Sequence, residues 1–155
     1  MTFTIKSADF KDNGPISKKF TCDGEDLSPE LSWTDPPQGA KSYALIVEDP
    51  DAPTGTFLHW VVYDIPADFK GLKRGMLSDD YADKGVKQGK TGFGPAGWGG
   101  PCPPKGHGRH RYIFILKALD VPSLGLANGA VRLDVEKAAK GRVLGEARIT
   151  GVYQR

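Results

Sequence analysis

Cysteine is scarce in this chain, which has only Cys22 and Cys102 among its 155 residues. Two cysteines are too few for the disulfide framework of a small secreted domain and too few for a four-cysteine zinc site. We therefore expect two separate, reduced thiols. A bridge between them stays open as the alternative, because the sequence alone does not show whether the two residues meet.

Long apolar runs are also missing. No stretch approaches the roughly 18 apolar residues that a membrane span needs. Residues 1–6 lack the basic start and the apolar stretch of a secretory signal. We therefore expect a cytoplasmic protein with no membrane span.

Extended runs of one charge are absent, since no run of Lys/Arg exceeds two residues. The formal net charge is +2, but residues 1–69 carry five Lys/Arg against twelve Asp/Glu, whereas residues 70–117 carry ten against three. Such a basic middle third is compatible with an acidic partner, a lipid headgroup surface or nucleic acid, although an ordinary solvated face is the favoured interpretation. The lack of a basic tail disfavours nucleic acid.

The length is that of a single domain, 1–155, which can bury roughly 70% of the surface that its unfolded chain exposes. Twenty glycines and twelve prolines are spread along the chain. This punctuation is typical of many short strands joined by turns. We therefore predict a mainly β domain.

The strongest strand signals are three apolar runs, Ser42–Glu48, Phe57–Ile65 and Arg111–Leu119. Each has apolar residues on both faces, which places it inside a two-layer structure. Weaker strand signals are found at Phe3–Ile5, Lys19–Cys22, Glu30–Trp33 and Ala147–Tyr153.

Two segments depart from this strand pattern. One short helix is predicted near 134–143, with Asp134 as its N-cap. Residues 68–100 show no apolar period and are rich in glycine, so they are predicted to form one long irregular excursion. Loops of that length in a compact domain are usually functional or mobile.

The first candidate site segment is Asp49-Pro50-Asp51-Ala52-Pro53, at the end of a predicted strand. Its prolines fix their own φ angles and hold the preceding residues out of the α region, so the segment forms a stiff, extended corner. The segment carries two carboxylates, Asp49 and Asp51, which we expect to point to opposite faces. We expect one of them to enter a cavity and the other to bond the turn.

Two of the three histidines lie at or near the start of the central strands. Strict alternation places His59 on one face with Val61 and Tyr63, and His110 on one face with Tyr112. A lone histidine on such a face is more often a hydrogen-bonded core residue than a functional one. If the strands converge, however, both rings approach the acidic corner, where carboxylates favour the protonated imidazole and the site can hold an anion such as phosphate beside an ammonium.

The second candidate segment is the turn Gly100–Gly108. Pro101, Pro103 and Pro104 remove backbone donors from its first half and form a rigid apolar wall. The Gly106-His107-Gly108 half can still present N–H groups to an anion, and His107 itself is expected to be solvated. The segment matches neither a Walker loop nor a dinucleotide-binding fingerprint.

Two catalytic alternatives use the same residues. Cys102 is a candidate nucleophile with His59 or His110 as its base, although no helix N-terminus is present to lower its pKa. A mononuclear metal site built from Asp49, Asp51, His59 and His110 has suitable ligand types but no recognisable spacing. Both are weaker hypotheses than a binding pocket.

The two segments closely resemble the signature regions of the phosphatidylethanolamine-binding protein family, also called the Raf kinase inhibitor protein family. The resemblance rests on the Asp-Pro-Asp-Ala-Pro corner with its histidine-bearing strand, and on Gly-Pro-Cys-Pro-Pro-Lys-Gly-x-Gly-x-His-Arg-Tyr. Phe20-Thr21-Cys22-Asp23-Gly24, Ser28-Pro29 and Leu31-Ser32-Trp33 are similar to its bacterial and archaeal branch, and the likeness extends over residues 3–153.

The resemblance implies an antiparallel β-sandwich with short flanking helices and a small anion pocket, without a cofactor or metal. The implied ligand-binding residues are Asp49, Asp51, His59, Pro103, His110 and Tyr112. The implied pocket-shaping residues are Pro50, Pro53, Pro101 and Cys102. Eukaryotic members carry a second histidine at the position of Leu58, Trp at Phe57 and Gly at Cys102, so this chain follows the prokaryotic pattern.

The functional hypothesis is a non-enzymatic protein that binds a phosphate-containing or zwitterionic ligand and regulates a kinase or protease, commonly as a homodimer in this family. One alternative is a protease inhibitor acting through an exposed loop within residues 78–100. The other is a hydrolase that uses Cys102 or a histidine-activated water.

Overall fold

The computed structural model describes residues 2–155, and most of its regular structure is β-strand. The nine strands are β1 (Thr4–Lys6), β2 (Gly14–Pro15), β3 (Leu31–Thr34), β4 (Ser42–Asp49), β5 (Phe57–Pro66), β6 (Gly71–Leu72), β7 (Lys87–Gln88), β8 (His110–Leu119) and β9 (Val143–Tyr153). One α-helix, α1 (Arg132–Ala139), and two 3-10 helices, Lys18–Phe20 and Ala82–Lys84, complete the described elements.

The strands form two sheets. The larger has the order β2-β9-β8-β4-β5-β7 and the smaller has the order β1-β3-β6. All pairs are antiparallel except β2 with β9, which is parallel. The prediction of a mainly β, sandwich-like fold is confirmed.

The larger sheet is buried on both faces, which explains why its central strands are apolar throughout. On one face, residues such as Trp60 and Phe114 pack against Leu31 and Trp33 of the smaller sheet. On the other face, residues such as Val61 pack against α1. The three strongest strand signals therefore correspond to the three strands β4, β5 and β8. Each strand is one residue longer than predicted, by Asp49 in β4, Pro66 in β5 and His110 in β8.

Two weaker predictions differ from the structure, one in kind and one in its bounds. Residues 18–20 form a 3-10 helix where Lys19–Cys22 had suggested a strand, because the Ser17 hydroxyl accepts a hydrogen bond from the backbone N–H of Lys19 and starts a turn. The predicted short helix is confirmed, but it covers Arg132–Ala139 and not 134–143, and its N-cap is Val131 and not Asp134. It ends at Ala139 because Lys140 is extended, with a ψ of 128°, and forms a tight turn with Gly141, whose φ is 79°.

The predicted face of His59 was also wrong. Val47 pairs with Trp60 and Glu48 pairs with Leu58, so His59 is the extra residue of a β-bulge. The bulge interrupts the alternation and brings the His59 ring to 5.1 Å from the ring of Tyr112, on the side of the inter-sheet core. Val61 remains on the opposite side, beneath α1.

The expectation of two free thiols was wrong as well, because Cys22 and Cys102 form a disulfide. Backbone contacts hold the two loops together: the N–H of Cys22 donates to the carbonyl of Pro101 at 3.1 Å, and the N–H of Gly100 donates to Asp26 Oδ1 at 2.9 Å. These bonds hold the two Cα atoms 5.4 Å apart, within the range of a disulfide. Both half-cystines are exposed to solvent.

Candidate functional site

The two candidate segments, the Asp49–Pro53 corner and the Gly100–Gly108 turn, meet at one end of the central strands of the larger sheet. Asp49, the last residue of β4, pairs in register with Phe57, the first residue of β5, and β8 begins beside them at His110. Between the corner and the turn lies a cavity of about 270 Å³. Its lining residues are Asp49, Ala52, Pro53, Thr54, Phe57, His59, Phe93, Cys102, Pro103, Pro104, His110 and Tyr112.

Most of the residues expected at the site line this cavity. They are Asp49, Pro53, His59, Cys102, Pro103, His110 and Tyr112. Pro50, Asp51 and Pro101 do not line it. The structure thus brings together residues such as Asp49 and His110, which are 61 positions apart in the chain.

Asp49 and His110 form a buried pair at the base of the cavity, with exposures of 3% and 1%. Asp49 Oδ2 lies 2.6 Å from His110 Nδ1, and its Oδ1 accepts the backbone N–H of Asp51 at 2.7 Å. An ionised carboxylate only accepts hydrogen bonds, so His110 carries a proton on Nδ1. The carboxylate therefore fixes the tautomer and the orientation of the ring.

The other nitrogen of His110 is also occupied. His110 Nε2 lies 2.6 Å from His107 Nδ1, which gives a chain of three side chains: Asp49, His110 and His107. His107 is exposed, as expected, but it is not merely solvated because it bonds a buried ring. Both nitrogens of His110 are consequently engaged within the protein.

His59 differs from the protonated imidazole that the sequence suggested. Its Nδ1 donates to the carbonyl of Gly99 at 2.5 Å, because a carbonyl can only accept. Burial lowers the pKa of His59 below its ordinary value of 6.5, and outweighs the opposite effects of the Gly99 bond and of the Asp49 and Asp26 charges. The neutral ring then has Nε2 as a hydrogen-bond acceptor.

Tyr112 carries the clearest sign of an unmet interaction. Its side chain is fully buried, and its hydroxyl has no hydrogen-bond partner among residues 2–155. Burial raises the pKa of Tyr112 well above its usual range, and the nearby charges of Asp49 and Asp51 act in the same direction. The hydroxyl therefore stays protonated and presents an unused donor beside the cavity.

Comparison with known proteins agrees with the fold. A family model described as phosphatidylethanolamine-binding protein matches residues 6–154. The chain belongs to this family.

Its relatives include bacterial proteins of similar length. A UPF0098 protein of Aquifex aeolicus is 52% identical over 151 residues, which are 97% of this chain and 88% of that protein. The crystal structure of YbcL from Escherichia coli, described as a new member of the mammalian PEBP family, matches with a TM-score of 0.92 at 32% identity and covers 100% of this chain and 99% of YbcL. The phosphatidylethanolamine-binding protein homologue CT736 of Chlamydia trachomatis matches with a TM-score of 0.89 at 34% identity, over 99% of this chain and 98% of CT736.

Asp51 stabilises the turn and does not line the cavity. Its carboxylate accepts the backbone N–H and Nε of Arg111 at 2.9 Å each and Nη2 at 2.8 Å. The side-chain hydrogen bonds from Arg111 lower the pKa of Asp51 to about 2, against the effect of burial. One carboxylate of the corner thus enters the cavity while the other clamps β8.

The main residue that sequence reasoning missed is Phe93, which comes from the long irregular excursion. Its ring lies 4.8 Å from that of Phe57 and 5.6 Å from that of His59, and the residue remains 51% exposed. A Cβ added at Gly99 would come within 2.3 Å of the Phe93 ring, so the glycine makes room for it. Ala52, Thr54 and Phe57 were also missed as lining residues, whereas Pro104 belongs to the predicted apolar wall.

The structure gives no support to the alternative of a metal site. Within residues 2–155 no group of three or more His, Cys, Asp or Glu is arranged to hold a metal ion. The side chains of the four suggested ligands have other partners, since Asp51 bonds Arg111 and His59 bonds Gly99.

Within residues 2–155, no helix has the length and apolar character needed to cross a membrane.

Proposed function

We propose that this protein binds a small ligand that carries a phosphate group, with a zwitterion of the phosphoethanolamine type as the best fit. The observation that carries the proposal is the buried hydroxyl of Tyr112, a residue that lines the cavity, because this hydroxyl has no hydrogen-bond partner among residues 2–155. A buried polar group without a partner is costly, and such groups are rare outside functional sites.

The Tyr112 hydroxyl supports an anionic group. A neutral hydroxyl can donate to a phosphate oxygen, and hydrogen bonds to charged groups contribute roughly 1.5–3 kcal/mol. The neighbouring wall, Cys102 to Pro104, contributes no proline N–H, so the hydroxyl is a scarce donor there.

The remaining polar groups support a donor or cation on the same ligand. The Asp49 carboxylate and the Nε2 of neutral His59 are both acceptors at the cavity. The rings of Phe57 and Phe93 pack edge to face nearby, and aromatic faces attract ammonium groups. A ligand with a phosphate and an ammonium satisfies both sets of groups.

The same geometry argues against the hydrolase alternative. Cys102 has no thiolate while it is bonded to Cys22. His110 has no free nitrogen with which to activate water, because Asp49 and His107 occupy both. We therefore propose binding without catalysis. Turnover in a broad esterase and phosphatase screen that is lost in His59→Ala would overturn this part of the proposal.

A titration tests the binding proposal directly. Inorganic phosphate, ethanolamine and O-phosphoethanolamine are added separately while the side-chain NMR signals of His59 and Tyr112 are followed. We expect shifts that saturate at millimolar concentration, with O-phosphoethanolamine binding most tightly. Tyr63, which packs on the opposite face of the sheet, is the internal control. Unchanged His59 and Tyr112 signals with all three compounds would contradict the proposal.

For the output of binding we propose ligand-dependent regulation of a partner protein, a kinase or a protease, by a cytoplasmic homodimer. This proposal extends the family resemblance. Protease inhibition that is unaffected by His59→Ala would instead favour the exposed loop within residues 78–100 as the inhibitory surface.

A further inference from the structure

A second cavity, of about 370 Å³, lies beside His110. It is lined by Asp51, His107, Arg109, His110 and Arg111, and only His110 also lines the first cavity. Four of these five residues are cationic or can become so. The lining is therefore quite different from the largely aromatic and proline-rich wall of the first cavity.

The one acidic residue of this cavity is already neutralised. Asp51 takes two hydrogen bonds from the Arg111 guanidinium and one from its backbone. Arg109, in contrast, is exposed and makes no ion pair among the described residues 2–155. The cavity thus has an excess of positive charge at Arg109 before any contribution from histidine.

The hydrogen-bond chain directs a further donor towards this region. Asp49 accepts a hydrogen bond from His110 Nδ1, and His110 Nε2 shares a hydrogen bond of 2.6 Å with His107 Nδ1. The other ring nitrogen of His107, Nε2, makes no hydrogen bond within residues 2–155. This nitrogen is therefore available to a ligand in the second cavity.

The backbone around His107 is suited to hold it in this position. Gly106 and Gly108 have φ angles of 77° and 98°, in the left-handed region that glycine tolerates. The N–H of Gly106 donates to the carbonyl of Arg155 at 3.0 Å, and the N–H of His107 donates to that of Pro104 at 3.1 Å. His107 is therefore anchored over His110 by its own turn.

We propose that this cavity is a second anion site, which takes a phosphate group through Arg109 and His107. Guanidinium groups bind phosphate oxygens through pairs of charge-assisted hydrogen bonds, and an imidazole N–H adds another donor. The phosphate is either the second group of a diphosphate ligand that also reaches the first cavity, or a separate ion. The chemistry of the site is the same in both cases.

The test is a titration of the full chain with inorganic phosphate and with pyrophosphate at constant ionic strength, followed by NMR. His107 and the Arg109 side chain report the second site, whereas Tyr112 and His59 report the first. Arg109→Gln is compared with Lys105→Gln, which removes the same charge from the same exposed turn but lines neither cavity.

We expect Arg109→Gln to weaken the phosphate affinity measured at His107 by about fivefold, and Lys105→Gln to change it by less than about twofold. Equal losses in the two variants would overturn the proposal, because they would reflect diffuse charge. So would His107 signals that do not move in the wild type. If phosphate shifts the His107 signals but not those of Tyr112 and His59, the first site is overturned and the second is not.

Pyrophosphate distinguishes the two sources of phosphate. One dissociation constant at His107 and Tyr112, at least about tenfold below that of phosphate, would support a diphosphate that spans both cavities. Separate constants would support an independent ion. A pyrophosphate affinity at His107 that Arg109→Gln leaves unchanged would contradict the site in either form.

Discussion

Replacing Tyr112 by Phe should separate the stability of the fold from its ligand binding. The Tyr112 hydroxyl is buried and has no partner within residues 2–155, so its removal breaks no hydrogen bond of this part of the chain. An unsatisfied buried polar group costs about 1–3 kcal/mol. We therefore expect the free energy of unfolding of the ligand-free protein to stay the same or rise by about 1 kcal/mol, which is about 3 °C in Tm for a domain of this size.

Tyr63→Phe is the matched control. Tyr63 is also fully buried, but its hydroxyl donates to the carbonyl of Ala127 and accepts a hydrogen bond from the N–H of Ala130 at 3.2 Å. Its removal leaves those backbone groups without a partner and should cost about 1–3 kcal/mol. The same chemical change is thus expected to have opposite effects at the two positions.

Ligand binding should show the reverse order. Loss of a hydrogen bond to a charged phosphate weakens affinity by about 1.5–3 kcal/mol, or about 10- to 150-fold, in Tyr112→Phe. Tyr63→Phe should bind phosphate and O-phosphoethanolamine as the wild type does. Urea denaturation and calorimetric titration of both variants measure the two quantities. The reasoning is refuted if Tyr112→Phe loses as much stability as Tyr63→Phe while its ligand affinity is unchanged.

Three further predictions concern acid and redox behaviour. Because the folded state keeps His59 neutral, its contribution to stability is complete above the ordinary pKa of 6.5 and is lost as pH falls below it. Urea denaturation from about pH 8 to about pH 5 should show a decline of at most about 1.4 kcal/mol per pH unit, and His59→Asn should lack it. The pKa of Asp51 is lowered from 3.8 to about 2, so its bond to Arg111 stabilises the protein above about pH 4, by up to about 1 kcal/mol at this partly exposed site, and acid titration of Asp51→Asn should show no such loss. Reduction of the Cys22–Cys102 disulfide, which joins residues 80 apart, should cost about 4 kcal/mol of stability, measured as a lower Tm in reductant.

Each of these has a contrary outcome. A wild-type stability that does not change between about pH 8 and about pH 5 would mean that His59 is not held neutral. An Asp51→Asn variant with the acid sensitivity of the wild type would remove the Arg111 bond as its cause. A Tm that is equal with and without reductant would contradict the stabilising effect of the disulfide.

The success of sequence reasoning for β4, β5 and β8 has a simple cause. A central strand between two layers buries both faces, and this requirement is written into consecutive apolar residues of one segment. Residues 18–20 failed because a single side-chain cap at Ser17 outweighed a weak strand pattern. A local pattern predicts a strand correctly when burial of both faces dominates the segment. It misleads when a weak strand pattern competes with a side-chain cap.

The site was only partly readable for the same reason. The proline corner and the histidine-bearing strands can be recognised from their residue types, and Asp49 and His110 form the expected contact. Phe93 lies in a glycine-rich excursion without periodicity, where no pattern distinguishes one aromatic side chain as a cavity wall. The pairing of Cys22 with Cys102 depends on loop contacts across 80 residues of chain.

By itself the sequence determined the strand content, the stiff turns and the chemical types available at the site, because these depend on neighbours along the chain. Tertiary structure alone decided which groups remain available to a ligand. The bulge in β5 set the face of His59, burial set its charge, and the contacts of His107 and Asp49 used both nitrogens of His110. Desolvation and hydrogen-bond partners are contributed by residues distant in sequence, so no local pattern encodes them.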